Sequence, residues 1–143
     1  MSALDVIVAP ATPLAVSALS VIRVSGDDAL VVLRPCLLKD FEPKARMVYT
    51  KWLVEPQSKV FLDQVCLCYF KGPDSFTGED LIEITCHGNP LIVGRIIQAL
   101  YASGAREAHA GEFAKRAFMQ GKLKVSGDMS IAMKLQSVMD ALA

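Results

Sequence analysis

An excess of charge of either sign is the first thing missing from this sequence. Its 15 lysines and arginines are matched by 15 aspartates and glutamates, so no global field draws the chain toward nucleic acid or an acidic membrane. Any RNA contact needs a local patch. Paired Cys-x-x-Cys knuckles are missing too. Cys36, Cys66, Cys68 and Cys86 lack the spacing of a zinc ribbon or finger; Cys66, Cys68, Cys86 and His87 are one conceivable metal-ligand set, and reduced core thiols are the plainer reading. No Gly-x-x-x-x-Gly-Lys-Ser/Thr stretch exists: Gly121-Lys122 is followed by Leu123 and has Arg116 where the first glycine belongs, which excludes a P-loop for GTP or ATP. A dinucleotide-type Gly-x-Gly-x-x-Gly and a Gly-x-Ser-x-Gly nucleophile elbow are likewise absent. Histidine is scarce, and neither His87 nor His109 has an orienting triad in sequence. No charged segment precedes the first apolar run, which Pro10 and Pro13 interrupt, so neither a signal peptide nor a membrane helix is expected and a cytoplasmic location is the default.

What is present is apolar. A hydrophobic fraction of 52% and a mean hydropathy of +0.36 over 143 residues exceed the needs of a single soluble core, which points to an apolar interface or a missing partner domain. Val- and Ile-rich runs bounded by Pro or Gly predict strands over Asp5–Ala11 and Ala18–Val24. Asp28 is placed to cap a helix over Ala29–Leu38 that Pro35 ends early. Arg46–Val54 and Lys59–Phe70 read as a long hairpin with the second strand central, and alternation puts Cys66 and Cys68 on one face. Asn89-Pro90 reads as cap and first residue of a helix through Ser103, closed by Gly104. Gly111-Glu112 opens a short amphipathic helix through Gln120, with Phe113, Ala117 and Phe118 as its buried side, and Asp128 caps a last helix, Met129–Leu142.

Residues 75–90 concentrate polar groups in this apolar background. In the strand Leu81–Cys86, alternation places Leu81, Glu83 and Thr85 on one face and Ile82, Ile84 and Cys86 on the other, so Glu83 stands on an open sheet face while Glu79 and Asp80 read as turn and capping groups. Arg23, near the end of another apolar strand, and Lys122, just after a helix stop, complete a trio. A carboxylate accepts two hydrogen bonds from the N–H edge of a flat heterocycle, and Arg and Lys bind anionic groups, so the trio suits such a ligand with a carboxylate tail. The same three residues also fit plain structural salt bridges. His87, just ahead of a helix start, reads as a turn residue or a ligand contact, and His109 as an exposed loop residue.

Four ordered segments carry a resemblance: Asp5-Val-Ile-Val-Ala-Pro-Ala-Thr-Pro13; Val21-Ile-Arg-Val-Ser-Gly26; Phe76-Thr-Gly-Glu-Asp-Leu-Ile-Glu-Ile84 with Cys86-His87-Gly88; and Gly111-Glu-Phe-Ala-Lys-Arg-Ala-Phe118. Over about residues 4–123 they resemble the N-terminal domain of the MnmE/TrmE tRNA modification GTPases. The resemblance implies an α+β fold with a mixed or antiparallel sheet and packed helices, similar to the tetrahydrofolate-binding domain of the glycine-cleavage T-protein. It implies a homodimer holding 5-formyltetrahydrofolate or a related tetrahydrofolate near the dimer interface, at positions matching Arg23, Glu83 and Lys122. It further implies a part in wobble-uridine modification beside an MnmG/GidA-like flavoprotein, with tRNA met indirectly and with GTP, Mg and K entering only through a separate G domain. The chain is then a binding and dimerisation module over 1–123 with a helical tail over 124–143, and no independent catalysis is expected of it.

Two departures stand out. The Gly-Arg-Gly-Gly loop of the family is Leu14-Ala15-Val16-Ser17-Ala18 here, which removes flexible backbone that approaches a ligand. Residues 118–142 resemble the C-terminal end of a sterol carrier protein type 2 domain, and Lys122 belongs to both motifs. A small carrier of an apolar sterol or fatty-acyl ligand, and a degenerate protein-association module, are therefore the alternatives to the folate module.

Overall fold

The structure is a computed structural model and describes residues 5–121. The expected tail, Lys122 included, lies outside the described residues. Six strands form one mixed sheet: β1 Ile7–Pro10, β2 Leu19–Ser25, β3 Val48–Val54, β4 Phe61–Phe70, β5 Leu81–His87 and β6 Arg106–Glu107, in the order β3-β4-β5-β2-β1-β6. All neighbours pair antiparallel except β1 and β6, which run parallel. The short strand β6 carries no periodic signal in the sequence. It forms because α2 returns the chain alongside β1, where the Arg106 N–H donates to the Val6 carbonyl at 2.9 Å. The α+β reading with a mixed sheet holds, and β4 is interior as expected.

Among the described residues the sheet is joined by three α-helices: α1 Ala29–Leu33, α2 Pro90–Ala102 and α3 Glu112–Met119. Helix α1 ends early, as expected, because Pro35 turns its end into a 3-10 turn over Arg34–Cys36, but Asp28 at its start makes no side-chain cap. Helix α2 starts as its sequence dictates. Asn89 Oδ1 accepts the Leu91 N–H at 2.8 Å, Pro90 follows, and Gly104 with φ 117° lets the chain leave. Helices α1 and α2 pack on one face of the sheet, where Val8, Ile22, Val24, Leu53, Val65, Leu67, Ile82 and Ile84 meet Val32, Leu33, Val93, Ile96 and Leu100 in a single apolar core.

The opposite face is covered at one end only. Ile7, Ser25 and Leu81 lie side by side in register there and are all buried, beneath the loop 71–80 and α3. The cover is polar. The Arg116 guanidinium donates to Glu79 Oε1 and Oε2 at 3.0 and 3.2 Å and to the Asp5 carbonyl at 2.7 Å; the Ser25 hydroxyl donates to Glu79 Oε1 at 2.9 Å and bonds the Thr77 hydroxyl at 2.7 Å. Both ionic side chains are 4% exposed. The expectation for α3 is corrected here: Arg116 and Ala117 are its buried residues, while Phe118 is 41% exposed. Hydrophobicity is a poor guide where a buried carboxylate requires the helix to bury its arginine. Glu79 is likewise no turn or capping group but half of this pair.

Gly78 shows how tightly the cover is built. Its φ is 79°, and a Cβ there would meet the Gln120 Cβ at 2.6 Å, so α3 closes against bare backbone. Removing one partner of a buried ion pair leaves the other charge uncompensated, at about 3–5 kcal/mol. Arg116→Met is accordingly expected to lower unfolding free energy by that amount in urea titration, whereas Lys115→Met, one position along α3, is expected to change it by less than about 0.5 kcal/mol.

Candidate functional site

Beyond the covered end, the sheet face lies open. Register places Arg23 of β2 opposite Glu83 of β5, and Glu83 opposite Cys68 of β4; one pleat further on, Val21, Thr85 and Cys66 form the next row. Two of the three residues singled out from the sequence are thus neighbours on one surface, as strand alternation requires. Arg23 Nε lies 3.7 Å from Glu83 Oε2, too far for a hydrogen bond. That Nε is buried and has no hydrogen-bond partner among the described residues, although the side chain as a whole is 40% exposed. The pair is a charged couple held short of full contact, with donors and acceptors left over.

Phe76, which sequence reasoning passed over, borders this couple. Its ring is 43% exposed, and the Arg23 guanidinium carbon stands 6.0 Å from its centroid. The loop holding it is braced on both sides. Ser75 Oγ donates to the Glu79 carbonyl, and Thr77 is tied to Ser25. Asp80, expected to be a turn group, locks the loop's base: its carboxylate accepts the Gly72 N–H at 2.9 Å and the Tyr69 hydroxyl at 3.1 Å. Burial and the adjacent Asp80 charge push the Tyr69 phenol up to about 12, so it remains a donor at neutral pH.

The histidines and cysteines divide differently from the sequence expectation. His87 ends β5 with its N–H donating to Asp63 Oδ2 at 2.9 Å and its Nδ1 2.8 Å from Oδ1 of the same buried carboxylate. A carboxylate only accepts, so this pair fixes the Nδ1–H tautomer. Cys86 faces the core while Cys66 and Cys68 face the open side, which separates the metal-ligand set considered above. Burial pushes the Cys36 and Cys86 thiols up, Cys86 to about 11, consistent with inert core groups; Cys66 is exposed, contrary to a uniform core assignment. Gly88 is needed for close approach: a Cβ there would meet the Ser17 carbonyl oxygen at 2.2 Å. A groove of about 740 Å³ between α2 and the β3–β4 turn, lined by Leu62, Leu91, Arg95 and others, lies on the helix-bearing side and includes neither Arg23 nor Glu83.

The covered end extends into a second row of ion pairs. Arg106 bridges Glu112 Oε2 at 2.6 Å and Asp5 Oδ2 at 2.8 Å, and Arg116 reaches Glu112 at 3.3 Å. Burial alone would raise the Glu112 carboxyl, but hydrogen bonds from Arg106 and the His109 N–H and the charges of both arginines override it and hold the group at about 2, against an ordinary 4.5.

Among known families, the one described as "GTP-binding protein TrmE N-terminus" matches residues 6–122, and the one described as "SCP-2 sterol transfer family" matches residues 107–140, most of which lie outside the described residues. The chain is similar to the tRNA modification GTPase MnmE of Helicobacter pylori (strain Shi470), 45% identical over 97% of this chain and 31% of that protein. It is similar to MnmE of Bdellovibrio bacteriovorus at 43% over 93% and 28%, and of Thermotoga petrophila at 39% over 86% and 27%. The chain spans less than a third of the length of these curated relatives.

The depressed Glu112 pKa has a stability consequence of definite sign. A carboxyl whose folded value lies below its unfolded value stabilises the fold fully above about pH 4.5 and loses that contribution as pH falls through about 2. The shift bounds this contribution at roughly 3 kcal/mol, reduced by solvent screening of the partly exposed network. Urea unfolding between about pH 5 and pH 2 should therefore show Glu112→Gln less stable than the wild type at the upper end and less sensitive to acid below it.

Proposed function

The chain belongs to the family of TrmE N-terminal domains, and on that premise we propose that it is the tetrahydrofolate-binding and dimerisation module of a tRNA modification GTPase. Glu83 accepts two hydrogen bonds from the N–H edge of the pterin ring, Arg23 binds an anionic or carbonyl group of the same ligand, and Lys122, outside the described residues, completes the contact set. The observation that carries this reading is the Arg23–Glu83 couple: two opposite charges side by side on an open sheet face, 3.7 Å apart, with a buried Arg23 Nε that nothing among the described residues satisfies. A self-sufficient structural salt bridge would close that distance. The ligand is 5-formyltetrahydrofolate or a closely related one-carbon carrier, and the fold would be shared with the folate domain of the glycine-cleavage T-protein.

The open face also carries Leu19, Val48 and Trp52, exposed by 59%, 68% and 43%, with Phe61 packed against Trp52 at 5.3 Å between ring centroids. This apolar surface supports a homodimer whose interface lies beside the ligand. Within the larger assembly the module works in the cytoplasm on wobble-uridine chemistry with an MnmG/GidA-like flavoprotein, meeting tRNA indirectly, while GTP, Mg and K belong to a G domain. The carrier of a sterol or fatty-acyl ligand remains the competing reading for the tail, supported by the match over residues 107–140.

Calorimetric titration with 5-formyltetrahydrofolate tests the assignment. A charge-assisted hydrogen bond contributes about 1.5–3 kcal/mol, so Glu83→Ala is expected to weaken binding about tenfold to hundredfold. Unchanged binding in Glu83→Ala would remove the site, and fatty-acyl binding without folate binding would favour the carrier.

A further inference from the structure

We propose that Cys66 and Cys68, two residues apart on one face of β4, hold a single soft monovalent metal ion, Cu(I), in linear two-coordinate ligation on the open side of the sheet. This site is independent of whatever else that face binds.

The pleat places the two thiols together. Val65, Leu67 and Tyr69 point into the core, so Cys66 and Cys68 stand on the opposite side, where Cys68 lies across from Glu83 of β5 and Val48 of β3, and Cys66 across from Thr85 and Thr50. Cys66 is exposed and Cys68 half-buried, which leaves the pair open to an ion from solvent.

The spacing decides what the pair can bind. Successive same-face residues of an antiparallel strand are about 6.8 Å apart, whereas a disulfide needs its Cβ atoms roughly 3.5–4.5 Å apart. The strand therefore keeps the sulfurs from joining one another directly. An ion with two thiolates in line fills the gap. Metal–sulfur bonds of about 2.3 Å set the sulfurs about 4.6 Å apart, and each Sγ then leans only about 1 Å along the strand toward the other, within ordinary χ1 freedom.

The surroundings select the ion. Among the described residues no group of three or more His, Cys, Asp or Glu side chains is placed to hold a metal; Cys86 faces the core and His87 Nδ1 is engaged by Asp63. Zinc takes four ligands, and calcium and magnesium take six or more, chiefly oxygen. Two soft thiolates without further ligands suit Cu(I), which two sulfurs satisfy. Thr50, Thr85 and Val48 beside the pair add neither sulfur nor nitrogen. Each thiol releases its proton to solvent as the ion binds, and copper enters and stays as Cu(I), with no redox step.

The test titrates Cu(I), held by a coloured competing chelator under anaerobic reducing conditions, into the full chain and into Cys66→Ser and Cys68→Ser. Wild type is expected to withdraw one ion per chain at any protein concentration, and X-ray absorption of the loaded protein to show two sulfur neighbours. Removing groups that merely orient a metal ligand costs about 10–100-fold in affinity, so loss of a ligand itself should weaken binding at least about a hundredfold in either variant. Either variant binding as tightly as wild type would overturn the site, since Cys36, Cys86 or a chance thiol would then be the ligand. One ion per two chains, three or more sulfur neighbours, or a wild type that takes no copper from the chelator would overturn it as well. Both substitutions lie on the open side of β4, and thermal melts within a few degrees of wild type check that the variants are folded.

Discussion

The buried pair between Glu79 and Arg116 is the interaction on which the rest of the molecule's working surface depends. Two charges, each 4% exposed, are tolerated only because every available acceptor and donor around them is used: Ser25 from β2, the Asp5 carbonyl ahead of β1, and Thr77 from the same loop. Through it three distant stretches, residues 71–80, helix α3 and the end of the sheet at β1 and β2, become one unit. An apolar contact would bury the same area but would not dictate which side chain faces which. The pair fixes the register of the loop, and with it the position of Phe76.

From that constraint follows the division of the sheet's second face. One end is sealed and polar inside; the remainder is open, and alternation along β2 and β5 delivers Arg23 and Glu83 to the boundary between the two. The helix-bearing face supplies stability through a conventional apolar core and leaves most of the other face uncovered. The seam carries one aromatic on a tied loop, Phe76, one arginine, Arg23, and one carboxylate, Glu83.

Much of this was legible in the sequence, and the limits have physical causes. Strand periodicity locates β2, β3, β4 and β5, and Asn89-Pro90 and Gly104 bracket α2, because caps and alternation are local. Glu83 stood out as a charge in an apolar strand, and Arg23 for the same reason. Glu79 and Arg116 escape a local reading because each has its partner 37 residues away, which no local pattern reports. A signal did exist: Arg116 shares the α3 face of Glu112, four residues earlier, and a helix with a charged inner stripe demands a buried counter-charge. Strand β6 was invisible because two residues carry no periodicity, and Phe76 because exposure of a single loop aromatic is a tertiary property.

The central claim is that the Glu79–Arg116 pair holds the loop 71–80 in place as a unit with α3. Amide hydrogen exchange on wild type and Arg116→Met tests it most directly, using the Gly72, Gly78 and Glu79 N–H groups, which donate to Asp80, to the Ser75 carbonyl and to Thr77. The account predicts that these amides lose protection by more than the strand amides of β4 and β5 do. Equal loss in loop and strands, or loop protection unchanged, would contradict it.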